Sequence, residues 1–233
     1  SVLMLNDSLQ VQYKKSFEEY NSFSGQNLIV TNTKNLVWLS LKKEKNKSTS
    51  QLNFYNYSKD AYEVFDLTSE GKQLSNPTIA FNEQKKSLVI TGFYSDKANS
   101  STGIFYSSLN LDSLNPPVII TTELDDQFIS RIIGERKKGK SLIDIDNYYI
   151  KKPVLRSDNG AVLTAENFYT TTSSYYDVFM QVYVTRTNYH YNSILVISIN
   201  PNGSLDWSQV INKAQTSIED GGFYSSYCSL PYQ

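Results

Sequence analysis

His190 and Cys228 are the only histidine and the only cysteine among the 233 residues, and together they bound the covalent chemistry the chain could perform. A Ser-His-Asp or Cys-His arrangement needs a histidine as its base, so His190 would have to serve. It lies between Tyr189 and Tyr191 beside an expected hairpin turn, which predicts a surface tip rather than a catalytic base. Cys228, between Tyr227 and Ser229, is expected in an incipient strand as a buried small hydrophobe rather than a reactive thiol. One cysteine makes no disulfide within the chain, and one cysteine with one histidine makes no Cys/His zinc site.

Paired carboxylates could support glycoside hydrolysis. The candidates are Asp125/Asp126, Asp144/Asp146, Glu63/Asp66 and Glu166, each expected in a loop or on the solvent face of a strand. "DIDN" at 144–147 is similar to part of an oxygen-rich calcium loop but lacks the glycine and the distant glutamate of an EF-hand. No GxGxxG or GxxxxGK[ST] phosphate loop is present. The sequence therefore predicts no catalytic residue, no metal ligand, no cofactor and no enzymatic activity.

What remains is aromatic. The chain holds 18 tyrosines and 11 phenylalanines. They concentrate in "YYDVFMQVYVTRTNYHYNSILVIS" at 175–198. A long hairpin is expected here, inserted between two strands of one sheet, with strands over 167–173 and 176–185. Tyr175, Tyr176, Phe179, Tyr183, Arg186, Tyr189 and Tyr191 then have three possible uses: covering the neighbouring sheet, docking a protein partner, or stacking on a sugar. Aromatics and arginine are the residues enriched at interface hot spots.

The elements that would position these residues are strands. The period is two over 2–5, 9–15, 27–31, 36–42, 51–57, 61–67, 77–81, 86–94, 103–111, 117–123, 153–156, 161–170, 176–185, 191–199 and 205–211. "TSEGK", "NEQKK", "SDNG" and "NPNG" mark turns between them. One stretch differs: Leu124, Phe128, Ile129, Ile132 and Ile133 have helical spacing, with Asp125 and Asp126 ahead and Arg136, Lys137 and Lys138 behind. It predicts one short helix followed by a solvated basic loop.

The strands repeat. "SLVITGFYSD…TGIFYSSLNLDSLNPPVIITTE" and "AVLTAENFYT…NSILVISINPNGSLDWSQVI" share one order of strand, aromatic strand, Asn/Asp-ended strand and outer strand. Four-stranded units at a period of roughly 50 residues read as blades of a β-propeller. The expected fold is all-β and β-propeller-like, with antiparallel four-stranded blades and one short helical insertion. Residues 1–24 form half a blade, 25–74, 75–124 and 151–215 form blades, 124–150 the helical insertion, and 216–233 the start of a further blade. Known propellers close with about four to eight blades, so this chain is expected to be an incomplete propeller and part of a longer protein. A complete open or sandwich-like β domain is the other reading.

Net charge is −1 and the sequence pI about 5.9, which makes no electrostatic case for nucleic acid or an anionic membrane. No run of 18 apolar residues exists to span a bilayer as a helix.

"YHYNSILVISINPNGSLDWSQVINKAQTSIEDGGFYSSYCSL" at 189–230 resembles a family of cell-envelope proteins of Bacteroidota that carry a tyrosine-rich hairpin followed by a "DGG.YSS" run. "LVITGFYSDKANSSTGIFYSSLNLDS" and "PVLRSDNGAVLTAENFY" fit the same family, so the resemblance covers roughly residues 75 to 230. It departs from that pattern in a shorter, basic lead-in to the last repeat and in "INKAQTS". The resemblance implies a propeller of the periplasm or cell envelope without established enzymatic activity. It also implies a protein partner such as an outer-membrane or periplasmic complex, the type IX secretion translocon included. "DSL" at 7–9 and 112–114 is similar to the Asp-Ser/Thr-aliphatic acceptor for O-glycosylation in that phylum, which would place sugars on Ser8 and Ser113.

Overall fold

A computed structural model describes residues 2–5, 8–16, 22–44, 47–96, 103–133 and 147–228. The alternating β-branched and aromatic residues form antiparallel sheets. β1 (Val2–Leu5) and β2 (Val11–Lys15) pair as a hairpin. β3 (Ser22–Val30), β4 (Leu36–Glu44), β5 (Lys47–Asn56) and β6 (Ala61–Asp66) form a four-stranded meander. β7 (Gln73–Asn82), β8 (Ser87–Ser95), β9 (Gly103–Asn110) and β10 (Ile120–Glu123) form a second. After α1 (Asp126–Ile133) comes a third sheet, of β11 (Tyr148–Ile150), β12 (Val154–Leu155), β13 (Ala161–Asp177), β14 (Val182–Ile199), β15 (Leu205–Ile211) and β16 (Gln215–Ile218). In this last sheet β13 and β14 are central, β11 and β12 share the outer edge of β13, and β15 and β16 share that of β14. The expected all-β class, the antiparallel four-stranded sheets and the short helix are all present.

The sheets pack face to face. β8 is buried along its whole length because it has a neighbour on each side. Leu88 and Ile90, with Phe105 and Leu109 of β9, pack on Val37, Leu39, Leu52 and Phe54 of the first meander. Val89 and Phe93, with Ile104 and Tyr106, pack on Ala161, Leu163, Ala165, Leu195, Ile197 and Ile199 of the third sheet. Successive strand residues point to opposite faces, so one apolar strand serves two cores. Gly92 is required where the Phe105 ring crosses its partner strand: a Cβ there would lie 2.5 Å from Phe105 Cε1 and 2.8 Å from the Ser75 carbonyl oxygen.

Phe128 of α1, and Leu124 just ahead of the helix, are both buried in the third-sheet core. Asp125 caps the helix, accepting from Phe128 N at 2.6 Å. Arg136, Lys137 and Lys138, expected in a solvated loop, lie outside the described residues. The β1–β2 hairpin is held to the first meander by Asp60, which accepts from Lys15 Nζ and Tyr55 Oη, each at 2.6 Å. The "SDNG" and "NPNG" segments form the expected hairpin turns, with Asn159 at φ +80° and Gly203 at φ +82°.

One expectation about the third sheet is corrected. The aromatic hairpin is not a separate insertion: β13 and β14 run through it without a break as strands of 17 and 18 residues. Its turn lies at 178–181, not at 174–175, because Asp177 rather than Ser174 opens it. β16, in the stretch expected to begin a further unit, returns to pair with β14 at 188–191.

Candidate functional site

Beyond the bulge between Glu166 and Phe168, β13 and β14 continue as a two-stranded ribbon. Ten residue pairs, from Phe168↔Tyr191 to Asp177↔Val182, give it a length of roughly 33 Å. Asp177 Oδ1 accepts from Phe179 N at 2.9 Å and Met180 N at 3.0 Å, and Gln181 takes a left-handed φ of +55°. That local hydrogen bonding fixes the turn without help from the rest of the fold. The turn's side chains are Val178, Phe179 and Met180, exposed by 74, 100 and 73 %. Three adjacent apolar side chains this exposed are not explained by packing.

The register sorts the expected partner residues. Directly opposed residues share a face, so Tyr175 and Arg186 lie on one face with Tyr169 and His190. Arg186 stacks over the Tyr175 ring at 4.6 Å and donates to its hydroxyl at 2.7 Å. Tyr176, Tyr183, Tyr189 and Tyr191 lie on the other face. Tyr176 and Tyr183 meet edge to face at 5.2 Å and remain largely exposed, forming a collar beneath the apolar tip. Tyr189 and Tyr191 sit lower, where β16 joins, and are half-buried. Phe179 belongs to neither face but to the tip. Five of the seven thus cluster near the free end. Val178, Met180 and Val182 were not singled out in the sequence, because a turn at 174–175 reads "DVFMQV" as strand.

Tyr191 belongs to a different cluster at the ribbon's base. Its ring packs on Phe168 at 4.6 Å and lies close over Gly222, whose φ is +69° and where a Cβ would come within 2.7 Å of the ring. Burial, and then the Glu166 carboxylate, raise its phenol pKa above the ordinary value. Glu166 itself is buried, not on a solvent face as expected. It pairs with Lys213 Nζ, and its Oε2 accepts from Ser226 Oγ at 2.5 Å. Lys213 also donates to Ser225 O at 2.6 Å, and Lys151 to Tyr227 O at 2.6 Å. These contacts lay residues 222–227 over the sheet face that bears Glu166. Parity places Glu166 with Val162 and Thr164 on the face opposite the core residues Ala161, Leu163 and Ala165, and only the C-terminal segment, which no local pattern announces, covers it.

The remaining candidates do not assemble chemistry. His190 is mid-strand, not at a tip. Its Nε2 lies 2.8 Å from Thr171 Oγ1 and its Nδ1 3.1 Å from Thr216 Oγ1, while its ring stacks on Tyr169 at 4.7 Å. It is a cross-strand link. Cys228 is exposed and lies in no strand, because the segment turns at 221–226 instead of extending. Asp125 is a helix cap, and Glu63 and Asp66 point to opposite faces of β6. Asp144 and Asp146 lie outside the described residues. Among the described residues no group of three His, Cys, Asp or Glu could hold a metal ion. No described helix is long and apolar enough to cross a membrane. Ser8 and Ser113 are both exposed on turns. A cleft of about 580 Å³ lies where β4 and β5 meet β7, lined by Asn27, Ser40, Ser50, Gln73, Asn76 and Tyr149 among others.

No protein-family description matches the chain, and no similar protein is found among curated ones.

Proposed function

We propose that this protein is a non-catalytic, propeller-like accessory subunit of the cell envelope that docks on a larger assembly through the β13–β14 ribbon. The observation carrying the reading is the ribbon's free end: Val178, Phe179 and Met180 exposed above the Tyr176–Tyr183 collar. Aromatic and methionine side chains on a preordered turn bury large area at small cost in entropy, which suits a hot spot. The face-to-face stacking of two four-stranded meanders and a third, six-stranded sheet supports the propeller-like part of the reading. The envelope location, an outer-membrane translocon as partner, and sugars on Ser8 and Ser113 rest on the resemblance given above. The alternative, a carbohydrate-binding or glycan-degrading propeller, is favoured by the cleft at β7, whose hydroxyl and amide lining suits a neutral sugar.

The test is co-purification from the native envelope, comparing the intact chain with one in which residues 174–185 are replaced by Asn-Gly. That replacement joins the paired residues Ser173 and Arg186 by a two-residue turn and leaves the β16 pairing untouched. A stoichiometric partner lost with the tip supports docking. A partner retained without the tip, or solitary protein that binds a polysaccharide column, overturns it.

A further inference from the structure

We propose that the outer edge of β13 is a self-pairing edge, and that two copies of this chain associate through it, antiparallel, about a two-fold axis at Thr172. The two edges of the ribbon are not alike. On the β14 side, β16 covers 188–191, and Glu219 closes on Thr187 through both its backbone and its side chain. On the β13 side, β11 stops at Asn167, and no described strand pairs with residues 168–177 away from β14. Residues 169–176 are all exposed.

Natural edge strands are guarded by lysine, proline, bulges or brevity. "FYTTTSSYYD" has none of these. It carries a single charge, at its last position, where Asp177 holds the turn. Every other residue except the two serines is a strong strand former, so the edge is long and competent to pair.

The partner is identified by the order of side chains. An isologous interface must be self-complementary, and pairing about a two-fold axis requires opposed residues to share a face. With Thr172 opposite Thr172 of the second copy, Phe168 meets Tyr176, Tyr169 meets Tyr175, Thr170 meets Ser174 and Thr171 meets Ser173. Aromatic faces aromatic and hydroxyl faces hydroxyl on both faces of the sheet, the pairs that favour cross-strand association. No like charges meet, since Asp177 lies beyond the paired span, which ends at Phe168 because Tyr148 of β11 already pairs with Asn167. Nine residue pairs form about nine backbone hydrogen bonds, close to the number in a standard protein interface. A strand from an unrelated protein would match this order only by accident. The pairing uses the backbone edge of 168–176, and Thr172, which its test changes, lies outside the 174–185 segment that the docking test replaces, so the two readings are tested separately.

The experiment is sedimentation of the purified chain over a dilution series, alone and as Thr172→Lys and Thr172→Asp. The native chain is expected to be a concentration-dependent dimer. Each charged variant places two like charges face to face and weakens self-association about tenfold or more. Mixing the two variants restores the dimer, which also shows that both are folded. Hydrogen exchange should find residues 168–177 protected in the dimer and open in either variant alone. A native chain that is monomeric, or a Thr172→Lys variant that dimerises as tightly as the native chain, overturns the proposal. So does protection of 168–177 in a monomer, which would put a strand of the same chain on that edge.

Discussion

Glu166 and Lys213 form an ion pair whose side chains are only 5 % and 15 % exposed, the least exposed of the charged pairs among the described residues. They come from β13 and from the chain after β15, 47 positions apart. Removing one partner leaves a buried charge uncompensated, whereas removing both leaves an apolar contact. Lys213→Met should therefore cost about 3–5 kcal/mol in equilibrium urea unfolding, and Glu166→Leu combined with Lys213→Met much less than that. An unchanged midpoint in Lys213→Met would show that water reaches Glu166.

Phe179 should behave in the opposite way. It is fully exposed and packs on nothing, so Phe179→Ser should move the unfolding free energy by no more than about 0.5 kcal/mol. The same substitution should remove most of the captured partner in envelope pull-downs. A loss of stability without a loss of capture would sink the docking reading of the tip.

Gly92 tests the shared core of β8. Phe105 Cε1 and the Ser75 carbonyl oxygen stand 2.5 and 2.8 Å from where its Cβ would be, and the second is backbone that cannot rotate away. Gly92→Val should destabilise by about 1–3 kcal/mol through overpacking, read from thermal unfolding. Gly71, with open space where its Cβ would be but a φ of +68°, should lose less on substitution by Asn, which tolerates that conformation.

The hold of the N-terminal hairpin should depend on pH. The Lys15 hydrogen bond, and after it that of Tyr55, keeps the Asp60 carboxyl below its ordinary range. The folded state thus prefers the ionised form. Its contribution is complete above the ordinary carboxylate pKa of about 4 and is lost as pH falls through the lower folded value. Lys15 is raised, chiefly by its hydrogen bond to Asp60, so its share is present below about 10.4 and lost as pH rises through the higher folded value. Hydrogen exchange of β2 should show local opening below about pH 4 beyond the intrinsic rate change. Asp60→Asn should open β2 at neutral pH as well and flatten the response.

How far the sequence could be read varies with the range of the interactions. The strands of the two meanders, the helix at 126–133 and the turns at "SDNG" and "NPNG" follow from local causes: a period of two, a period of 3.6, and the positive φ that Asn and Gly accept. The ribbon was legible as a tyrosine-rich hairpin but not in its length, because Arg186, Asn188 and His190 look like interruptions until their partners Ser173, Thr171 and Tyr169 stand opposite them. Tyr191 could not be separated from Tyr183 by type. One lies over Gly222 and the other in solvent.

By itself, then, the sequence determined that this is an all-β chain with antiparallel four-stranded sheets, and that its aromatic surplus lies in one hairpin. Both follow from patterns a few residues long. The tertiary structure alone decided which face each side chain shares, that Glu166 is buried against Lys213, and that Phe179 is left bare while Tyr191 is covered. Those outcomes depend on residues brought together across tens of positions, and no local pattern encodes which distant segment will lie over a strand.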